Sequence, residues 1–152
     1  MTKVQKILSS TICLLLCTAC GKEETESPLP FVTVDIIFNL NVPPYNISLQ
    51  LSPAAMKMPQ QHIGYNGNGL LLVRQSEDYF QAYDATCTRN INHHIAALQL
   101  DDFDIFAHCP HPGCNARYNL LSGGYETEGQ FRLQEYRVTY NPGTKTGRIT
   151  NH

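Results

Sequence analysis

At 152 residues the chain has the length of one domain, since either half alone would bury too little apolar surface to fold. A composition of 42% hydrophobic and 16% charged residues is that of an ordinary globular protein and excludes both a disordered chain and a multi-span membrane protein. The 11 Lys/Arg are scattered among 13 Asp/Glu, so no basic patch forms to meet a phosphate backbone, and nucleic-acid binding is not expected.

In chain order, Lys3 and Lys6 precede an apolar run, residues 7–17, too short and too poorly flanked to span a bilayer. It reads as a secretion signal. Its end, Leu16-Cys17-Thr18-Ala19-Cys20-Gly21, is similar to a bacterial lipobox, although Cys17 stands where that pattern prefers Leu. The resemblance implies a signal peptide over residues 1–19, lipidation at Cys20 and a tether over 20–30. The acidic tract Lys22-Glu23-Glu24-Thr25-Glu26 resembles a surface-export signal of Bacteroidetes lipoproteins, and is equally a solvated spacer. The expected location is therefore the outer membrane, facing the periplasm or the cell surface, with the membrane as partner through the lipid. Cys13 and Cys17 leave with the signal and Cys20 is acylated, so Cys87, Cys109 and Cys114 remain. An odd number in an oxidising envelope means one disulfide and a free thiol, or three metal ligands.

Residues 32–42 alternate apolar and polar side chains, the period of a half-buried strand. Pro43-Pro44 breaks the run, and Tyr45, Ile47, Leu49 and Leu51 suggest a second strand. Ser52-Pro53-Ala54-Ala55 has the chemistry of a short helical turn. The run from Gly64 to Gly69 supplies turns but neither a following helix nor a Lys-Ser/Thr pair, so it is no phosphate loop. Further strands are expected at residues 70–74, 79–83, 95–100, 103–107, 117–121, 131–136 and 137–140, with 142–152 as a C-terminal tail. Many short strands and almost no helix predict an all-β antiparallel sandwich or small barrel.

The candidate site lies between two of these strands, in Cys109-Pro110-His111-Pro112-Gly113-Cys114, with Cys87 on a second, chain-distant loop. The order of features is Ala82-Tyr83-Asp84-Ala85-Thr86-Cys87, a hairpin, Cys109-Pro110, then Asn115-Ala116-Arg117-Tyr118-Asn119-Leu120-Leu121-Ser122-Gly123. It ends with a glycine turn at Gly129 and Leu133-Gln134-Glu135-Tyr136-Arg137-Val138. Over residues 32–140 this resembles the Rieske iron–sulfur domain, and more closely the Rieske-like lipoproteins of Bacteroidetes. The resemblance implies a β-sandwich over residues 31–141 bearing a small two-loop, cluster-binding-like subdomain.

A working Rieske site needs Cys-x-His in one loop and Cys-x-x-His in the other, two thiolates on one iron and two imidazoles on its partner. Cys87 and Cys109 stand at the thiolate positions, but Arg89 occupies the first histidine position, and a guanidinium does not lose its proton to bind iron. The second loop is two residues longer than the family's, and His111 falls one short of the usual interval. The leading expectation is thus a non-catalytic binding or structural module with no cofactor, its thiols paired Cys87–Cys109 or Cys109–Cys114, serving an unidentified envelope protein. The first alternative is an electron carrier holding a [2Fe–2S] cluster through Cys87, Cys109, Cys114 and one of His93, His94, His108 or His111, with His111 the chosen candidate. The second is zinc on the same groups. Nucleophilic catalysis needs a base facing a depressed thiol, which adjacency of His108 and His111 to Cys109 does not establish, so no enzyme is expected.

Overall fold

The computed structural model describes residues 27–89, 91–101 and 105–151. The expected signal, Cys20 and the acidic tract lie outside the described residues, as do Asp102, Phe103 and Asp104 of the predicted hairpin. The strands are β1 Asp35–Asn39, β2 Ala54–Lys57, β3 Leu70–Arg74, β4 Phe80–Asp84, β5 Gln99–Leu100, β6 Phe106–His108, β7 Arg117–Asn119, β8 Tyr125–Glu126, β9 Glu135–Asn141 and β10 Thr146–Thr150. Among the described residues one α-helical turn, α1 Tyr45–Ser48, and two 3-10 turns, Tyr65–Gly67 and Leu120–Ser122, interrupt them. All pairings between strands are antiparallel, in a six-stranded sheet ordered β1-β10-β9-β4-β3-β2 and a four-stranded sheet ordered β5-β6-β7-β8. The larger sheet curls into a half-barrel, and the fold is all-β as expected.

The alternation at the start of the chain does build a strand, with Phe38 buried and Ile37 68% exposed. It is shorter than the eleven residues expected because its partner ends at Thr150. Beyond that point the Asn151 side chain replaces the ladder, accepting from Val34 N–H and donating to Val32 C=O, both at 2.7 Å. Two expected elements are exchanged. In the expected strand 45–51, Tyr45–Ser48 form α1 instead, because Tyr45 and Leu49, four apart, both reach the core while Ile47 and Leu51 face solvent. Residues 54–57 form β2 instead of a helical turn, with Met56 and Met58 inward and Lys57 outward. The two strands expected over 131–140 are one, β9. Within residues 142–152, read as a tail, Thr146–Thr150 form an interior strand: β10 pairs with β1 on one side and β9 on the other.

β3 separates two cores. Leu70 and Leu72 pack into a cluster with Phe38, Tyr45, Leu49, Phe80 and Ile149, whereas Leu71 and Val73 face Tyr83, Leu98, Tyr118, Leu120 and Leu133. Both faces of β3 are therefore covered, which explains its unbroken apolar sequence. The second core fills the space between the half-barrel and the small sheet, and all three candidate cysteines belong to it.

Candidate metal centre

Cys87 lies three residues beyond β4, fully buried, and its N–H donates to Ala96 C=O at 3.0 Å. A bridge between Thr86 and Ala97 and a bond from Leu98 N–H to Ala85 C=O run these two segments antiparallel. That pairing brings the turn carrying His94 beside Cys87. Cys109 directly follows β6 and donates its N–H to Ala116 C=O at 2.9 Å, just before β7 begins. Between them the chain loops out and returns through Gly113, whose φ of +82° is the left-handed conformation a glycine supplies. Cys114 N–H donates to His111 C=O at 3.0 Å and closes that loop. Two loops thus deliver thiols to one point, because each is the end of a strand pair.

The ligand atoms of Cys87, His94, Cys109 and Cys114 all lie within 4.8 Å of one another, and this group can hold a metal ion. Cys87 Sγ is 3.8 Å from Cys114 Sγ, and Cys109 Sγ is 3.6 Å from His94 Nε2. All three cysteines are free thiols, so neither expected disulfide is formed. Cys87 and Cys114, a pair not among those expected, are also unbonded, their 3.8 Å gap being well beyond the S–S bond length of about 2 Å.

Burial disfavours the charged forms of three of the four groups, Cys87, Cys109 and His94. Burial pushes the Cys87 thiol up to about 12, with a hydrogen bond from Tyr118 opposing it, and burial also raises Cys109. Burial, with the neighbouring His111 and His93, lowers His94 and keeps its imidazole neutral, the form that binds metal. Metal binding must then displace thiol protons. Around this set the Tyr118 hydroxyl, 3.5 Å from Cys87 Sγ, accepts from the N–H groups of Thr88 and Arg89, both at 3.1 Å. It fixes the Cys87 turn from beneath.

The sequence candidates are distributed as follows. Cys87, Cys109 and Cys114 are brought together, and of the four histidines considered, His94 joins them. His111, the one chosen from the sequence, is exposed and stacks on His94 at 4.2 Å between ring centres and 13° between planes. His93 is exposed. Asp101 holds His108 Nδ1 at 2.5 Å and also binds Arg117, whose guanidinium covers the Phe106 ring. Arg89 turns away from the thiols to form an ion pair with the buried Glu126, Nε to Oε1 at 2.5 Å. The structural role of Tyr118 was missed, and its place in the Asn-Ala-Arg-Tyr run was the only available signal. The run from Gly64 to Gly69 is closed on itself by Asp84, whose Oδ2 accepts Tyr65 N–H at 2.6 Å.

No family model, curated protein or solved structure matches this chain.

Proposed function

We propose that the chain is a lipid-anchored cell-envelope domain of Rieske-like type whose two loops are clasped by one zinc ion, a structural and binding module with no catalytic centre. The observation that carries this reading is the compactness of the Cys87, His94, Cys109 and Cys114 donor set. With Zn–S of about 2.3 Å and Zn–N of about 2.0 Å, a tetrahedron has S–S edges of about 3.8 Å and S–N edges of about 3.5 Å. The two separations quoted for this site are 3.8 and 3.6 Å. A two-iron cluster instead holds the ligands of one iron roughly 5 Å or more from those of the other, so the tight set favours a single ion. Three thiolates and one imidazole fill all four positions and leave none open for substrate, the arrangement of a structural site.

The role that follows is mechanical. The ion ties the Cys87 turn to the β6–β7 loop and so holds a small sheet whose strands are only two or three residues long. The test is metal analysis and a visible spectrum of the purified chain. One zinc per chain, replaceable by cobalt(II) to give the ligand-field bands of a tetrahedral thiolate site, supports the clasp. Iron with acid-labile sulfide would overturn it in favour of an electron carrier. For the anchor, Cys20→Ala should move the chain from the membrane fraction to the soluble fraction.

A further inference from the structure

We propose that the clasp responds to oxidation: a peroxide converts Cys114 and Cys87 to a disulfide, and the zinc is released. The inference rests on the zinc reading and deepens it by naming how that site is controlled.

The sulfurs differ in what holds them. Cys87 is rigid, fully buried, tied by its N–H to Ala96 and backed by Tyr118. Cys109 is fixed at the end of β6 by its bond to Ala116, and its sulfur faces His94. Cys114, buried and tied to its own loop by its N–H to His111 C=O, ends an exposed loop, Pro110 to Gly113, and a Cβ added at Gly113 would meet nothing within 4 Å, so that loop has open space beside it. Closing the Cys87–Cys114 separation from 3.8 Å to a bond of about 2 Å asks for a shift of under 2 Å in the loop-borne Cys114. Cys109 and Cys114 each retain 6% exposure whereas Cys87 retains none, so an oxidant reaches either of these two before Cys87, and of the two Cys109 is held at the end of β6, which leaves Cys114 on its open loop to close on Cys87.

The chemistry balances in two steps. The Cys114 thiolate attacks one peroxide oxygen, the O–O bond breaks, and the departing hydroxide is protonated to water, leaving a sulfenic acid. The Cys87 thiolate then attacks that sulfur, the S–S bond forms, the S–O bond breaks, and a second water leaves. Two electrons pass from the thiolates to the peroxide. Only Cys109 and His94 would then remain to hold a zinc ion, and Cys109 would take up a proton as it lets the ion go, so three protons would be consumed for each ion released. The disulfide joins the same two loops that the metal joined, 27 residues apart, and replaces one clasp by another.

The experiment uses the full chain in detergent, loaded with zinc and assayed for zinc content before hydrogen peroxide is added. Zinc release is followed with a chromogenic chelator, and disulfides are mapped by mass spectrometry of unreduced peptides, which separates Cys13, Cys17 and Cys20 from the site. The expected result is about one zinc released per Cys87–Cys114 disulfide, with Cys109 alkylatable and zinc rebinding after reduction. Cys109→Ser should still form that disulfide, so the pairing stays testable in a chain that binds zinc weakly. Zinc retained through oxidation, or a disulfide involving Cys109 in the parent chain, overturns the inference and leaves the zinc reading standing. A chain that takes up no zinc before peroxide overturns both.

Discussion

His94 and His111 occupy adjacent layers of the same site, and their roles separate by one measurement. His94 presents Nε2 to Cys109 Sγ at 3.6 Å, whereas His111 lies flat against the outer face of His94. Removing a ligand from a four-coordinate ion should cost far more than removing the ring that orients it, for which about 10-fold is ordinary. His94→Ala is expected to weaken zinc affinity by over 100-fold and His111→Ala by about 10-fold, read by competition with a chelator. The reverse order would place His111 in the coordination shell. The sequence made the three cysteines legible through their spacing and context, but not this choice: His94 approaches Cys109 only because residues 96–98 pair with 85–87, a contact that no local pattern announces. Asp84 supplies a second test at this scale. Burial pushes its carboxyl above the usual carboxylate range, against the pull of Thr86 and Tyr65 N–H and the Tyr136 hydroxyl. With the folded value above the unfolded one, the unfolded chain releases this proton first as pH rises from about 4, so stability falls until the folded group ionises too. In EDTA, the urea midpoint of the parent chain should decline relative to that of Asp84→Asn across that window. A difference between the two that does not change with pH would mean the carboxyl is ionised in the fold throughout.

β10 shows where element-level reading fails and why. Period-two alternation located β1, and an unbroken apolar run located β3, because their inward positions are large apolar residues, Phe38, Leu70 and Leu72 among them. In β10 the two inward positions are Gly147 and Ile149, and a single isoleucine gives no periodic signal. The glycine is there because Phe38 and Tyr140, its register partners on either side, stack across it with rings 5° from parallel. A Cβ at Gly147 would collide with the Phe38 ring. Gly147→Ala is therefore expected to destabilise the fold by about 1–3 kcal/mol in urea denaturation, the cost of overpacking a filled core. Gly143, in the β9–β10 turn, faces only the Asn141 side chain, and Gly143→Ala should stay within about 0.5 kcal/mol of the parent. Equal effects at both positions would remove the aromatic cover from the account. The exchange of strand and helix at residues 45–57 has a different cause: Tyr45 and Leu49 satisfy both a two-residue and a four-residue period, and only docking against β1 and β2 decides between them.

At the scale of the whole molecule, the two cores would not depend equally on the proposed metal. The half-barrel core is closed by long ladders, β9 running from Glu135 to Asn141 between β4 and β10. The second core is capped by β5 to β8, strands of two or three residues whose pairing stops short of Cys109. Short strands with few ladder bonds open at low free energy unless something holds their ends, and the Cys109–Cys114 loop is such an end. An ion bound only by the closed form adds about 2.7 kcal/mol to that form when free zinc stands at 100 times its Kd. Hydrogen exchange with and without chelator should show this as regional. Amides of Ala107, Cys109 and Tyr118, together with Cys87, are expected to lose about 100-fold in protection on chelation, which is that free energy expressed as a rate. Amides of Ile36, Val138 and Ile149, paired across β1, β10 and β9, should hold theirs. Uniform loss across both sheets would instead make the ion a requirement for global folding, and no loss anywhere would mean that the small sheet stands on its packing against Leu71, Val73 and Tyr83 alone.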